Sequence, residues 1–279
     1  MDARIGELEV RLLLEAIFDR YHYDFRSYAM ASLKRRLSQA IDSLGVTTLS
    51  GLQERVLHEP ESFSVLLQYL TVQVSDMFRD PEFFLALRQR VLPVLATYPS
   101  VKVWCAGSST GEEAYALAIL LLEEGLLDRS IVYATDINAQ SLRTAAAGVY
   151  PLERLRGFTE NHRRSGGKVS LSNYYHSTGT DQDSVIMDAA LRRKITFSDH
   201  SLATDSVFSE MHLITCRNVL IYFDRALQDR ALKLFAESLV HGGFLGLGSK
   251  ESLRFTAAAD DFIEVAPAER LYRRRSAAT

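Results

Sequence analysis

Val101–Lys102–Val103–Trp104–Cys105–Ala106–Gly107–Ser108–Ser109–Thr110–Gly111–Glu112–Glu113 decides the fold. A short β-rich run enters a Gly-rich turn, and 113–122 follows as an apolar helix. Strand, glycine turn and helix in that order form the nucleotide-binding half of a doubly wound sheet. The glycines let backbone approach a ligand, and the helix points its free N–H groups at it.

Working outward, Ile131–Val132–Tyr133–Ala134–Thr135 reads as a second buried strand that ends in Asp136. Asp136 lies about 25 residues past Gly111, near the position where an acidic side chain meets ribose hydroxyls. A helix near 139–147, a strand at 211–215, a helix at 227–239 ending on Gly242–Gly243 and a strand from Phe244 to Gly248 continue the alternation. Alternating strands and helices imply a mostly parallel sheet covered on both faces, a Rossmann-like α/β fold. Upstream, Leu33, Leu37, Ile41 and Leu44 keep helical spacing before Gly45, and no alternating pattern appears before Phe84. The expectation is an N-terminal helical domain with its linker at 1–84 and a sheet domain at 85–279. Within the latter, 157–197 interrupts the alternation with polar residues (His176 to Ser184) and β-like runs at 168–171 and 185–187. A connection this long carries structure of its own, and the expectation is a small antiparallel β insertion.

Composition narrows the function classes. The chain has 279 residues, 47% of them hydrophobic, and a formal net charge of −3. Such a balance gives no global attraction to nucleic acid or anionic membrane. The N-terminal apolar run at 11–18 is shorter than the roughly 20 residues of a membrane span and is interrupted by charge, so a cytoplasmic protein without membrane insertion is expected. The two cysteines, Cys105 and Cys216, each end an apolar run, have no metal-ligand spacing and read as buried free thiols. Lys34, Arg35 and Arg36 read as a solvated basic strip, and Arg273–Arg274–Arg275 as a solvated tail.

The turn discriminates among ligands. It lacks the Gly-Lys-Ser/Thr of a phosphate loop. Two carboxylates, Glu112 and Glu113, open the helix where a dinucleotide's pyrophosphate would sit. They repel phosphate and suit a cation such as S-adenosylmethionine, which carries a sulfonium and an ammonium. The same carboxylates also complement the positive end of the helix dipole.

Several stretches together resemble the chemotaxis receptor glutamate methyltransferases (CheR). They are Phe78–Arg79–Asp80–Pro81–Glu82–Phe83–Phe84, the turn at 104–113, Ala134–Thr135–Asp136–Ile137, Cys216–Arg217–Asn218–Val219–Leu220–Ile221–Tyr222–Phe223–Asp224, and Gly248–Ser249–Lys250–Glu251–Ser252. The resemblance covers nearly the whole chain. It implies transfer of a methyl group from S-adenosylmethionine, leaving S-adenosylhomocysteine, to glutamate side chains on the cytoplasmic helical bundle of a chemoreceptor. It also implies cofactor contacts from Gln73, Ser75, Arg79, Ala106, Gly107, Glu112, Asp136, Ser201, Leu202, Cys216 and Arg217. Arg217 and Tyr222 would face the methyl and the acceptor carboxylate. The resemblance further implies that the basic N-terminal helix meets the acidic receptor bundle and, as in some members, that the β insertion docks a receptor C-terminal tail. The chain departs from the family's common residues at Gln73, Ser75, Met77, Ala114, Ser201 and Lys250.

The residues suit that chemistry. A glutamate carboxylate is already anionic at neutral pH and needs no general base. The reaction needs alignment and a cation to hold the acceptor, which Arg217 supplies as a forked donor. His200 and His212 read as packed or solvated side chains rather than bases. Two other readings remain at this level: a regulatory module that holds cofactor or product without turnover, and a nicotinamide-dependent oxidoreductase, against which the acidic helix start argues.

Overall fold

The computed structural model describes residues 5–71, 75–178 and 183–275. The chain divides into two compact units. The first comprises Met1–Gln73, Leu202–Asp205 and Tyr222–Ala231, and the second Val74–Ser201, Ser206–Ile221 and Leu232–Thr279.

The first unit is built on α1 (Glu7–Tyr21), α2 (Met30–Leu44), α3 (Leu49–His58) and α4 (Pro60–Leu70). Each helix buries a stripe at three- and four-residue spacing, such as Val10, Leu13, Leu14 and Ile17 of α1 and Leu33, Leu37 and Ile41 of α2. Gly45 takes the left-handed conformation that ends α2. The Thr48 hydroxyl accepts the Gly51 N–H at 3.0 Å to start α3. The basic strip expected on α2 is corrected at Arg36. That side chain is buried at 3% exposure, donates to the Leu70 carbonyl and lies 4.3 Å over the Tyr222 ring. A guanidinium suits such a place because its flat face stacks on an aromatic while its edge satisfies a helix-end carbonyl. Of the three, only Arg35 is exposed, and Lys34 is half-buried and pairs with Glu7 at 3.2 Å.

The second unit opens with α5 (Pro81–Ala86), a π turn at Leu87–Val91 and α6 (Leu92–Leu95). Then come β1 (Val101–Ala106), α7 (Glu112–Glu123), β2 (Ser130–Asp136), α8 (Ala139–Ala147), β3 (Val149–Pro151), α9 (Leu155–Arg164), β4 (Tyr175–Ser177), β5 (Ser184–Met187), α10 (Ala189–Arg192), β6 (Ile195–Asp199) and β7 (Met211–Cys216). After α11 (Arg225–Ser238) follow β8 (Leu239–Leu247), β9 (Phe262–Ala266) and β10 (Leu271–Arg274).

Seven strands form one sheet in the order β6-β2-β1-β7-β8-β10-β9. The run from β6 to β8 is parallel, and β10 pairs antiparallel with β8 and β9. This is the mostly parallel, Rossmann-like sheet expected. Its central strands are apolar without alternation because helices cover both faces. From β1 the chain goes outward to β2 and β6, then returns on the other side of β1 as β7. That reversal opens a crevice past the carboxyl ends of β1 and β7.

Two readings at the sheet edge are corrected. Gly242 and Gly243 do not stop a helix; they lie in β8, where Gly242 has φ +75° and the register with β7 shifts between Met211 and Leu213. Arg273 and Arg274 are not a tail but part of β10, fixed there by the buried Leu271 and Tyr272. Their guanidiniums donate to the carbonyls of Gly242 and Leu239.

A second, antiparallel sheet of three strands, β3-β5-β4, forms the small β element. Residues 168–171 contribute no strand to it. Ser170 instead caps the 3₁₀ turn Leu171–Tyr174 by accepting the Ser172 N–H, and Lys168 is held by Glu123 and Glu124. Of the polar stretch, 179–182 lies outside the described residues. Among the described residues no helix is long and apolar enough to cross a membrane.

Candidate functional site

The loop after β1 is shaped by the end of β2. The N–H groups of Gly107 and Ser108 both donate to the Thr135 carbonyl at 2.8 Å. Ser109, at φ +50°, donates its N–H to Asp136 Oδ2 at 2.8 Å. Gly107 sits at φ +74°, and a Cβ there would lie 2.4 Å from Val219 Cγ2. Only glycine fits, because both the backbone angle and the space exclude a side chain.

Asp136 takes a second backbone donor, Asn138 N–H, on Oδ1 at 2.9 Å. Burial pushes its carboxyl above the usual range, opposed by the N–H groups of Asn138, Ser109 and Ile137. Each oxygen keeps further acceptor capacity. Beside it the buried hydroxyls of Ser108 and Ser109 have no hydrogen-bond partner. Unpaired buried hydroxyls are costly unless a ligand completes them. A half-used carboxylate with adjacent free hydroxyls fits the polar groups of a nucleoside cofactor such as S-adenosylmethionine.

The two carboxylates of the helix start are each matched by an arginine. Glu112, with 0% exposure, accepts from Thr110 Oγ1 at 2.7 Å and from Arg154 Nη1 at 2.5 Å. Arg154 also donates to the Ser75 carbonyl and lies 4.8 Å over the Phe158 ring. Glu113 accepts from Arg217 Nη1 at 3.1 Å. Each carboxylate thus has a guanidinium beside it, Arg154 for Glu112 and, for Glu113, Arg217, which is shared with Asp80. Nothing in the local sequence around Arg154 marks it as the counter-ion of Glu112; only the fold joins them.

Arg217 follows β7, with its side chain 1% exposed. Its Nη2 donates to Asp80 Oδ2 at 2.7 Å, and its guanidinium lies 4.2 Å over the Phe83 ring. Its Nε is buried with no hydrogen-bond partner. Together with Asp80, Phe83, Leu247 and Ser249 it lines a cleft of about 230 Å³. The loop that carries it is clasped by Glu251, a residue the sequence placed in a matching stretch without a role. Glu251 accepts the N–H groups of Asn218 (3.0 Å), Val219 (2.9 Å), Ile221 (3.3 Å) and Gly248 (2.6 Å). Burial raises its carboxyl above the ordinary range, and these four donors work against that rise. Phe78, Asp80, Ser109 and Asn218 all have positive φ without being glycine. Strained backbone of this kind gathers where side chains must be aimed for function.

The remaining expected site residues fall as follows. Ala106 is buried at the end of β1, Cys216 is buried at the end of β7, and Ser75, Arg79 and Ser201 are half-buried in the second unit. Burial raises the Cys216 thiol, so it is a neutral wall rather than a nucleophile. Leu202 and Tyr222 belong to the first unit. Gln73 lies outside the described residues. Both histidines are packed. His200 stacks edge-on against Trp104, and His212 Nδ1 accepts the Lys102 N–H at 3.0 Å, with burial lowering its pKa.

Residues 73–268 match the family described as CheR methyltransferase, SAM binding domain, and residues 8–71 match CheR methyltransferase, all-alpha domain. The chain is 56% identical to the "Putative methyltransferase Cher3" of Pseudomonas putida, over 97% of this chain and 98% of that one. It is 32% identical to a chemotaxis protein methyltransferase of Vibrio parahaemolyticus, over 86% of this chain and 85% of that one. Among solved structures it aligns with the N-methyltransferase NodS of Bradyrhizobium japonicum in complex with S-adenosyl-L-homocysteine, at TM-score 0.41 and 14% identity, covering 72% and 90% of the two chains.

Proposed function

The chain belongs to the CheR methyltransferase family and carries its S-adenosylmethionine-binding domain. From that premise we propose that it methylates glutamate side chains on the cytoplasmic helical bundle of a chemoreceptor, as an enzyme of the cytoplasm. The observation that carries the reading is Arg217. It is a buried guanidinium at the end of β7, tied through Glu113 to the helix of the cofactor turn and lining a cleft.

S-adenosylmethionine supplies an electrophilic methyl group on a sulfonium sulfur. The turn 107–112 and Asp136 hold it, with Ser75, Arg79, Ser201, Leu202, Cys216 and Gln73 as further contacts. The protein's task on the acceptor side is positioning. Arg217 holds a carboxylate in a fixed plane, and Tyr222 orients the acceptor through its hydroxyl. No proton has to be removed from the acceptor, because a glutamate is ionised at neutral pH. Attraction between sulfonium and carboxylate disappears on transfer, so a site that excludes water favours the forward step. Arg35 and Lys34 of α2 face the acidic receptor bundle in this reading, and the β3-β5-β4 sheet takes a receptor C-terminal tail.

Purified protein incubated with methyl-labelled S-adenosylmethionine and receptor cytoplasmic domains of its host tests the reading. Base-labile label on receptor glutamates is expected. Cofactor binding with no label on any receptor would instead establish the regulatory module.

A further inference from the structure

The guanidinium of Arg217 is engaged on one edge in a way that bears on acceptor binding. Nη1 is tied to Glu113, whose side chain is 14% exposed. Nη2 is tied to Asp80, whose side chain is 44% exposed and lines the same cleft. Nε has no hydrogen-bond partner. An arginine binds a carboxylate in the forked, two-bond manner through neighbouring N–H groups in one plane. The edge formed by Nε and Nη2 is such a fork, and half of it is taken by Asp80.

We propose that Asp80 is an internal competitor for the acceptor carboxylate: it holds Nη2 of Arg217 until an incoming glutamate displaces it and takes Nε and Nη2 together. The proposal rests on the reading of Arg217 as the acceptor-binding group. Three features support it. One guanidinium faces two carboxylates, so a third could be added only against net negative charge, and exchange avoids that cost. Asp80 is the more exposed of the two partners and the one on the cleft. Asp80 also stands at φ +54° immediately before Pro81, a strained position from which a short side chain is aimed at Nη2. Asp80 is thus a specificity-setting residue that acts through Arg217, and it requires any acceptor to outbid a tethered carboxylate. A carboxylate does so with two bonds where Asp80 makes one; an amide or hydroxyl does not.

The test uses Asp80→Asn in the full chain, since asparagine tolerates positive φ as aspartate does. The probe is N-acetyl-glutamate α-methylamide, titrated in the presence of S-adenosylhomocysteine and followed by the Nε–H resonance of Arg217 in nitrogen-15-labelled protein. Asp80→Asn is expected to bind the probe about tenfold more tightly than the wild type, and Asp80→Glu to return to the wild-type value. The KM for an unmethylated receptor domain should fall by a similar factor. Equal affinity in wild type and Asp80→Asn, no binding by either, or an equal gain in Glu82→Gln, whose carboxylate lines the cleft but pairs with Arg164, overturns the proposal. Tighter probe binding without receptor labelling leaves the competitor in place and removes the receptor reading. Receptor labelling without tighter binding does the reverse.

Discussion

Glu251 and Val219 are joined by a 2.9 Å hydrogen bond from the Val219 N–H to Oε1, and this bond belongs to a set of four through which one carboxylate ties the loop carrying Arg217, by three N–H groups, to the turn after β8, by that of Gly248. Glu251→Gln keeps the shape but replaces one acceptor oxygen with a donor. At least one buried N–H then faces an NH₂ group. Loss of a hydrogen bond to a buried charged acceptor costs about 1.5–3 kcal/mol. The expected outcome is a fall of that size in unfolding free energy by urea titration, together with a fall in methyl transfer larger than stability alone explains. Unchanged stability would show that the clasp is not needed.

A second carboxylate, Glu123 at the far end of α7, is expected to set part of the acid sensitivity. Its Oε1 meets His162 Nε2 at 3.0 Å and the Tyr174 hydroxyl at 3.0 Å, and its Oε2 pairs with Arg88. Burial raises its pKa, but His162 and Arg88 outweigh this and hold it at about 2 against an ordinary 4.5. A depressed acid stabilises the fold above its unfolded pKa and loses that contribution as pH falls toward the folded value. The window is therefore from about pH 4.5 down to about pH 2, and the contribution is of order 3 kcal/mol. Comparison of urea midpoints for wild type and Glu123→Gln should show a gap at pH 7 that narrows below about pH 4.5 and is largely lost only near pH 2. A gap independent of pH would contradict it.

Much of this was legible from the chain. The strand, glycine turn and helix from Val101 onward are local signals, because glycine freedom and apolar runs act over a few residues. Asp136 was found by its distance from Gly111, since one crossover has a nearly fixed length. Pairings across distant segments were not legible. Arg154 meets Glu112, and Glu251 meets Asn218, only because the fold brings them together, and neither spacing carries a period. Arg36 misled for a related reason. A cation inside a basic run on a helix reads as solvated until a helix-end carbonyl and an aromatic ring are known to wait for it. Arg273 misled because a short run at a chain end looks like a tail unless its antiparallel partner is in view.

Replacing Arg217 by lysine keeps the charge and removes the fork. The lysine ammonium is a point donor and cannot grip Glu113 and a second carboxylate in one plane. A fall of about hundredfold in kcat/KM, near 2.7 kcal/mol, is expected. Binding of S-adenosylhomocysteine, measured by calorimetry, should change much less, because the turn and Asp136 remain. Equal losses in both would place Arg217 on the cofactor side alone.

Asp136→Ala removes both tasks of that carboxylate. It orders the turn through Ser109 and Asn138, and in the proposed reading it also accepts ribose hydroxyls. Removing both should weaken S-adenosylhomocysteine binding by about a hundredfold, since hydrogen bonds to a charged acceptor contribute about 1.5–3 kcal/mol each. Asp136→Asn is graded between the two, because its carbonyl oxygen still accepts one backbone N–H while its NH₂ group accepts neither the other N–H nor a hydroxyl. An intermediate loss is expected for asparagine, with a fall in unfolding free energy of about 1.5–3 kcal/mol because one of the two backbone N–H groups then faces an NH₂ group. If asparagine binds the cofactor as tightly as aspartate, the carboxylate serves the turn and not the ribose.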